Sequence, residues 1–180
     1  MTAPDRQRWG DPSCYKAGWA ERSRLAASLV PDGVSVLEIG VGTGVFRDLV
    51  RDRTTYAGAD LEPLDAASIR LDLDSEPLPG TFDYAVVLGV FAYLHQPDAA
   101  AKKLCDAAAH VIVSYCCRRP ELDPQALRES WQSRRWVNSF SRREFVDMFA
   151  RHGHALASSV LFSATDEFEQ YVMVFRRETP

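Results

Sequence analysis

The stretch Val34-Ser-Val-Leu-Glu-Ile-Gly-Val-Gly-Thr-Gly44 decides how this chain folds. Its first half is short, apolar and β-branched, and its second half alternates glycine, which predicts a buried strand feeding a tight turn into a helix. Glycines at alternate positions let a ligand lie against the backbone itself, where a Cβ would collide. Gly40, Gly42 and Gly44 supply that freedom. Glu38 ends the strand beside the crevice where open α/β sheets hold their ligands. A carboxylate there suits an ammonium or a ribose hydroxyl better than a phosphate, whose charge it would repel. A dinucleotide turn spaces its glycines G-x-G-x-x-G; here the third comes one residue early, which disfavours NAD.

These residues resemble the first motif of the class I S-adenosylmethionine-dependent methyltransferases, an acid-x-Gly-x-Gly-x-Gly turn that wraps the methionine part of the cofactor. Read without a ligand, the same stretch is a glycine-rich strand-to-helix turn. A second stretch carries the resemblance further. Phe82 to Leu88 is a near-continuous apolar run, as expected of a strand buried on both faces of a parallel sheet, and with the turn after it resembles the fourth motif of that family, which lines the transfer site. Many members place Glu-His just after this strand, where this chain has Ala92-Tyr93. That departure leaves His95 as the titratable candidate, with an unperturbed pKa suited to accepting a proton. A solvated loop histidine is the alternative.

The rest of the chain is read outward from these two motifs. From Tyr15 to Val30 apolar residues recur at helical spacing, ending at Pro31-Asp32-Gly33. Residues 1–12 are polar and expected to be flexible, with no apolar core of a signal peptide or membrane span. Val45 to Arg53 reads as a helix with Val45, Phe46, Leu49 and Val50 inward, and Thr55 to Ala59 as a strand ending at Asp60. An acid about 20 residues past the glycine turn is placed to accept from ribose hydroxyls. Ile69 to Asp72 is a third strand. Asp98 to Ala109 is an Ala-rich helix, and Val111 to Tyr115 a fifth strand. Arg118 to Phe140 is the least regular part, a place where specificity gathers. Ser141 and Glu144 form a capping box that opens a helix running to Arg151, stopped by Gly153. Ala155 to Phe162 and Tyr171 to Arg176 close the chain as two adjacent strands.

The resemblance covers Tyr15 to Arg177. It implies one domain over residues 1–180: a doubly wound α/β fold with a seven-stranded, mostly parallel sheet in the order 3-2-1-4-5-7-6 and an antiparallel last strand. It implies S-adenosyl-L-methionine as cofactor, bound by Glu38, Gly40, Gly42, Gly44, Asp60, Leu61, Leu73 and Leu88. Either Asp72 or Asp74 would meet the adenine amine, with Asp72 the better match, and capping is the other use of either acid. The segment 13–30 would lie over the cofactor, where Arg22 would pair its carboxylate. Tyr93 and His95 would stand near the methyl group, and Tyr15, Trp19, Tyr115, Trp136 and Asn138 around the acceptor. The expected activity is methyl transfer to a small molecule, an oxygen nucleophile on a sugar or natural-product intermediate. A non-catalytic accessory subunit and aminopropyl transfer on the same fold are the rivals.

Composition narrows the partners. The formal net charge is −4 over 180 residues, which gives no reason to expect nucleic acid, since that needs clustered Lys and Arg. The pairs Arg134-Arg135 and Arg142-Arg143 read as a solvated helix face, with an anionic substrate group as the alternative. Of the four cysteines, Cys14, Cys105, Cys116 and Cys117, none has C-x-x-C spacing. Adjacent Cys116 and Cys117 diverge from an extended strand, so with His152 and His154 they make a poor metal site. No metal and no membrane are expected, and a cytoplasmic location with reduced thiols.

Overall fold

The computed structural model describes residues 6–11 and 18–178. Seven strands form one sheet in the order β3-β2-β1-β4-β5-β7-β6: β1 (Ser35–Ile39), β2 (Thr55–Asp60), β3 (Ile69–Arg70), β4 (Phe82–Leu88), β5 (Ala108–Arg118), β6 (His154–Ala164) and β7 (Phe168–Arg177). The β1–β2, β1–β4, β2–β3 and β4–β5 pairs are parallel, and β7 runs antiparallel to both β5 and β6. The chain order reverses between β1 and β4, so their carboxyl ends flank the crevice at which such sheets bind ligands.

Alternation explains why the central strands are apolar on both faces. Leu37, Ile39, Ala85, Val87, Val111 and Val113 face one side and pack with α4 (Pro97–Ala107) and α6 (Arg142–Ala150). Val36, Val86, Leu88 and Ile112 face the other and pack with α2 (Trp19–Ser28) and α3 (Val45–Val50). On the first face Phe91, Phe145, Phe149 and Phe175 are fully buried, with Phe149 and Phe175 stacked at 4.1 Å. At roughly 2 kcal/mol or more for each fully buried aromatic or branched side chain, this double layer holds the strand ends in register.

Several expected boundaries move. The leading helix starts at Trp19; Tyr15 and Cys14 lie outside the described residues. The polar start contains a helical turn, α1 (Arg6–Trp9). The helix α3 ends at Val50 and buries Phe46 and Val50, while Leu49, expected inward, is 42% exposed. The strand β3 is two residues long and stops before Asp72, whereas β5 runs on to Arg118, held by β7 pairing from His110 to Arg118. The irregular stretch after β5 holds α5 (Arg128–Arg134). The capping box of α6 forms as read: the Ser141 side chain accepts from the Glu144 N–H at 3.3 Å while Glu144 accepts from the Ser141 N–H at 2.7 Å.

Candidate cofactor and acceptor site

A cavity of about 670 Å³ opens over the carboxyl ends of β1, β4 and β5. The glycine turn forms one wall. Gly40, Gly42 and Gly44 all adopt left-handed backbone, with φ of 84°, 54° and 78°. Gly40 is required by the chain itself, since a Cβ there would stand 2.5 Å from Val90 Cγ2. Gly44 lies outside the cavity lining and caps α3. The Asp60 carboxylate accepts from the Gly42 N–H at 2.9 Å and from the Glu62 N–H at 3.3 Å, which ties the end of β2 to the turn. Burial raises the Asp60 pKa, and the backbone donors of Gly42, Glu62 and Leu61 pull the other way. Each carboxylate oxygen keeps a further lone pair for a hydroxyl.

Glu38 is 3% exposed and lines the same wall. Burial pushes its carboxyl up to about 8, against the Tyr56 hydroxyl, which donates to Glu38 at 2.5 Å, while neighbouring Asp60 pushes it further up. Arg22, from α2, reaches into the cavity opposite. Its Nη2 donates to the Leu88 carbonyl at 3.3 Å, its Nε is buried with no partner, and burial lowers its pKa. Among the described residues it pairs with no carboxylate. A buried guanidinium in that state calls for an anion. Gly89, which the sequence reading passed over, makes room for it: its φ is 78°, and a Cβ would lie 2.8 Å from Arg22 Nη1.

The two acids after β3 divide their tasks. Asp74 accepts from the His95 and Gln96 N–H groups, both at 2.9 Å, and so anchors the turn before α4. The Asp72 carboxylate accepts from the Asp74 N–H at 3.0 Å and stands 3.8 Å from Arg6 Nη2. Leu61, Leu73 and Leu88 complete this end.

Trp19, Tyr93, His95 and Trp136 also line the cavity, together with Arg8 and Trp9 from α1, which the sequence did not suggest. Tyr115 also borders the cavity, with most of its ring turned into the core, and Asn138 is not part of the lining. The Tyr115 side chain is 2% exposed and stacks on Phe145 at 4.3 Å. Its hydroxyl donates to Asn138 Oδ1 at 2.9 Å and accepts from the Phe140 N–H at 3.0 Å. Asn138 Nδ2 in turn donates to the carbonyls of Phe91 at 2.7 Å and Leu94 at 2.8 Å. Behind the wall, then, Asn138 fastens the turn that carries Tyr93. On adjacent positions of β5, and so on opposite faces, Cys116 lines the cavity and Cys117 packs in the core, with burial pushing their thiols up to about 11 and about 12. Among the described residues no group of three or more His, Cys, Asp or Glu is placed to hold a metal.

Comparisons with known proteins agree with this layout. A family model for a methyltransferase domain matches residues 15–159. The fold is similar to that of magnesium protoporphyrin IX methyltransferase from Synechocystis with bound S-adenosylmethionine, at 14% identity and a TM-score of 0.69 over 94% of this chain and 90% of that one. The N-methyltransferase NodS from Bradyrhizobium japonicum, in complex with S-adenosylhomocysteine, is 18% identical with a TM-score of 0.67, over 91% and 89%. The [4+2]-cyclase SpnF is 12% identical with a TM-score of 0.71, over 89% and 81%. At such identities the likeness is one of fold. Comparison with curated protein sequences finds no match.

Proposed function

The chain belongs to the methyltransferase-domain family, and from that premise we propose that it binds S-adenosylmethionine and directs its methyl group to an oxygen nucleophile on a small molecule. The observation that carries the reading is the buried guanidinium of Arg22, which meets the Leu88 carbonyl but no carboxylate among the described residues and whose Nε has no partner, in one cavity with the carboxylates of Glu38 and Asp60. The residues fit the cofactor's charges: Arg22 would hold its carboxylate, Glu38 its ammonium, Asp60 the ribose diol, and Asp72 with Leu73 the adenine edge. When bound, the cofactor supplies a methyl carbon that takes a lone pair from the acceptor as the carbon–sulfur bond breaks towards sulfur.

The chain's own part is alignment and exclusion of water. Tyr93, in the turn after β4, is held from behind by Asn138 and from the front by Trp136, whose Nε1 donates to the Tyr93 hydroxyl at 3.3 Å. His95 brings the imidazole that lines the cavity, fixed through its backbone by Asp74, and one of its ring nitrogens would take the hydroxyl proton. Of the acceptors open from the sequence, the aromatic end of the cavity favours a natural-product intermediate over a sugar. A second reading, a cofactor-binding module without catalysis, is favoured by Ala92 and Tyr93 standing where the resemblance has an acid and an imidazole.

Calorimetry with S-adenosylhomocysteine tests the proposal. One-to-one binding in the micromolar range is expected, with the affinity reduced in Arg22→Met; a folded chain that takes up no ligand would overturn it. Under the second reading the ligand binds, yet no acceptor fills the aromatic end.

A further inference from the structure

The cavity has an end that the cofactor's charges do not need. There, segments far apart in sequence bring rings and guanidinium groups into one alternating series. Trp9 meets Tyr93 edge to face at 4.8 Å, and the Arg8 guanidinium lies over both rings, at 4.6 and 5.4 Å. Trp136 meets Phe168 edge to face at 5.0 Å, and the Arg134 guanidinium lies over those two, at 5.2 and 5.1 Å. The series is joined by the Trp136–Tyr93 hydrogen bond and by Arg8 Nη1 donating to the Arg134 carbonyl at 3.4 Å.

Charge in the lining follows the elements that supply it. Among the described lining residues the carboxylates Glu38, Asp60, Asp72 and Asp74 come from β1, β2 and the stretch after β3, whereas Arg8, Arg134 and Arg135 come from α1 and the end of α5, the segments that carry the rings. Glu167 meets Arg134 Nη2 at 3.2 Å but is not part of the lining. With its face on the rings, the Arg134 fork still presents N–H groups in its plane, the arrangement that suits oxyanions. The basic cluster of the sequence is thereby split: Arg142 lies over the Tyr171 ring and Arg143 pairs with Asp147, both away from the cavity.

The backbone at Arg135 makes an independent point. Its φ of 59° is the one positive value at a non-glycine among the described residues, at the C-cap of α5. Glycine fills such a position without strain. An arginine there puts a cationic side chain on the cavity at the expense of backbone comfort, a pattern that gathers at functional sites.

We propose that the acceptor is a planar, conjugated small molecule bearing an oxyanionic group, carboxylate or phosphate, with its ring against Tyr93 and Trp136 and its anion on Arg134 and Arg135. This rests on the methyl-transfer reading of the same cavity. The full chain, saturated with S-adenosylhomocysteine, is titrated calorimetrically with 1-naphthoate, 1-naphthyl phosphate and neutral 1-naphthamide. At least one anion is expected to bind about tenfold or more tighter than the amide, and which one does so tells carboxylate from phosphate. That advantage should fall below about threefold in Arg134→Gln, with S-adenosylhomocysteine affinity unchanged. Arg135→Gly, which relieves the backbone, should lose anion affinity while keeping or raising the melting temperature. Equal binding of all three probes, binding of none, or an anion advantage that survives both substitutions overturns the proposal. Failure of S-adenosylhomocysteine itself to bind would instead overturn the methyl-transfer reading, so the two failures are distinguishable.

Discussion

The two ends of the cavity are built by different means. The cofactor end is made of strand termini and the turns that directly follow them, so the sheet register that sets Ile39 between Ala59 and Val87 also brings the strand ends that carry Glu38, Asp60 and Leu88 to one cavity. The aromatic end is assembled from α1, the turn after β4, the segment after α5 and the start of β7, held together by ring contacts and a few hydrogen bonds. Backbone geometry supports the first and side-chain contact the second. The difference teaches that the part a fold shares with its relatives is carried by the sheet, while the part that selects a partner is carried by loops mounted on it.

The largest expected effects lie at the cofactor end, where they set ligand binding against stability. Asp60→Ala removes a buried acceptor and leaves the Gly42 N–H unpaired, so S-adenosylhomocysteine binding should weaken by about 1–3 kcal/mol, with a loss of stability as well. Arg22→Met should weaken it on a similar scale yet leave the ligand-free chain as stable or more so, because the deleted cation is buried without a carboxylate partner. Thermal denaturation with and without ligand separates the two variants. A ligand-free Arg22→Met chain that melts far below the parent would mean that Arg22 serves the fold rather than an anion.

A smaller effect is expected where the two ends are joined. Asn138→Ala strips hydrogen bonds from the Phe91 and Leu94 carbonyls and from the Tyr115 hydroxyl, freeing the turn that carries Tyr93. Stability should fall by about 1–3 kcal/mol. Affinity for the acceptor-end probe should fall about tenfold, while S-adenosylhomocysteine affinity stays within about threefold, because the stretch that Asn138 fastens borders the aromatic end. Equal losses for both ligands would dissolve the distinction between the ends.

The same contrast explains what could be read from sequence. The Phe82–Leu88 strand was legible to the residue because both of its faces are buried, and the glycine turn because left-handed backbone needs glycine. The α6 cap was legible because Ser141 and Glu144 satisfy each other locally. Arg8 and Trp9 left no trace, since a four-residue turn in a polar stretch has no periodicity and its reason for being is a contact with Tyr93 far along the chain. Tyr115 was read as an acceptor contact from its place at the end of the fifth strand, and Asn138 from the resemblance. Strand alternation, extended by the β7 partner, turns Tyr115 into the phenylalanine cluster instead, and two carbonyls of the turn after β4 claim Asn138. Leu49 was misjudged because α3 buries only the stripe of Phe46 and Val50 and turns Leu49 to solvent.

The last expected effect is a pH dependence confined to the cofactor end. The Glu38 carboxyl is pushed up to about 8 in the folded chain by burial, against about 4.3 for an unperturbed Glu. Between those values the folded state keeps a proton that the unfolded state has released, so folding stability falls as pH rises through this window. Glu38→Gln has no such proton, and its stability relative to the parent should improve steadily from pH 5 to pH 8 in urea denaturation. Arg134→Gln, at the aromatic end, should track the parent at every pH, because a guanidinium does not titrate in this range. Binding adds a further check. An ammonium placed beside Glu38 favours its ionised form, so S-adenosylhomocysteine should release a proton on binding near pH 7 and bind more tightly as pH rises from 6 to 8. The release appears as a binding enthalpy that varies with the ionisation heat of the buffer. Parallel denaturation curves for the parent and Glu38→Gln, with buffer-independent heats, would show Glu38 ionised throughout and remove this distinction between the two ends.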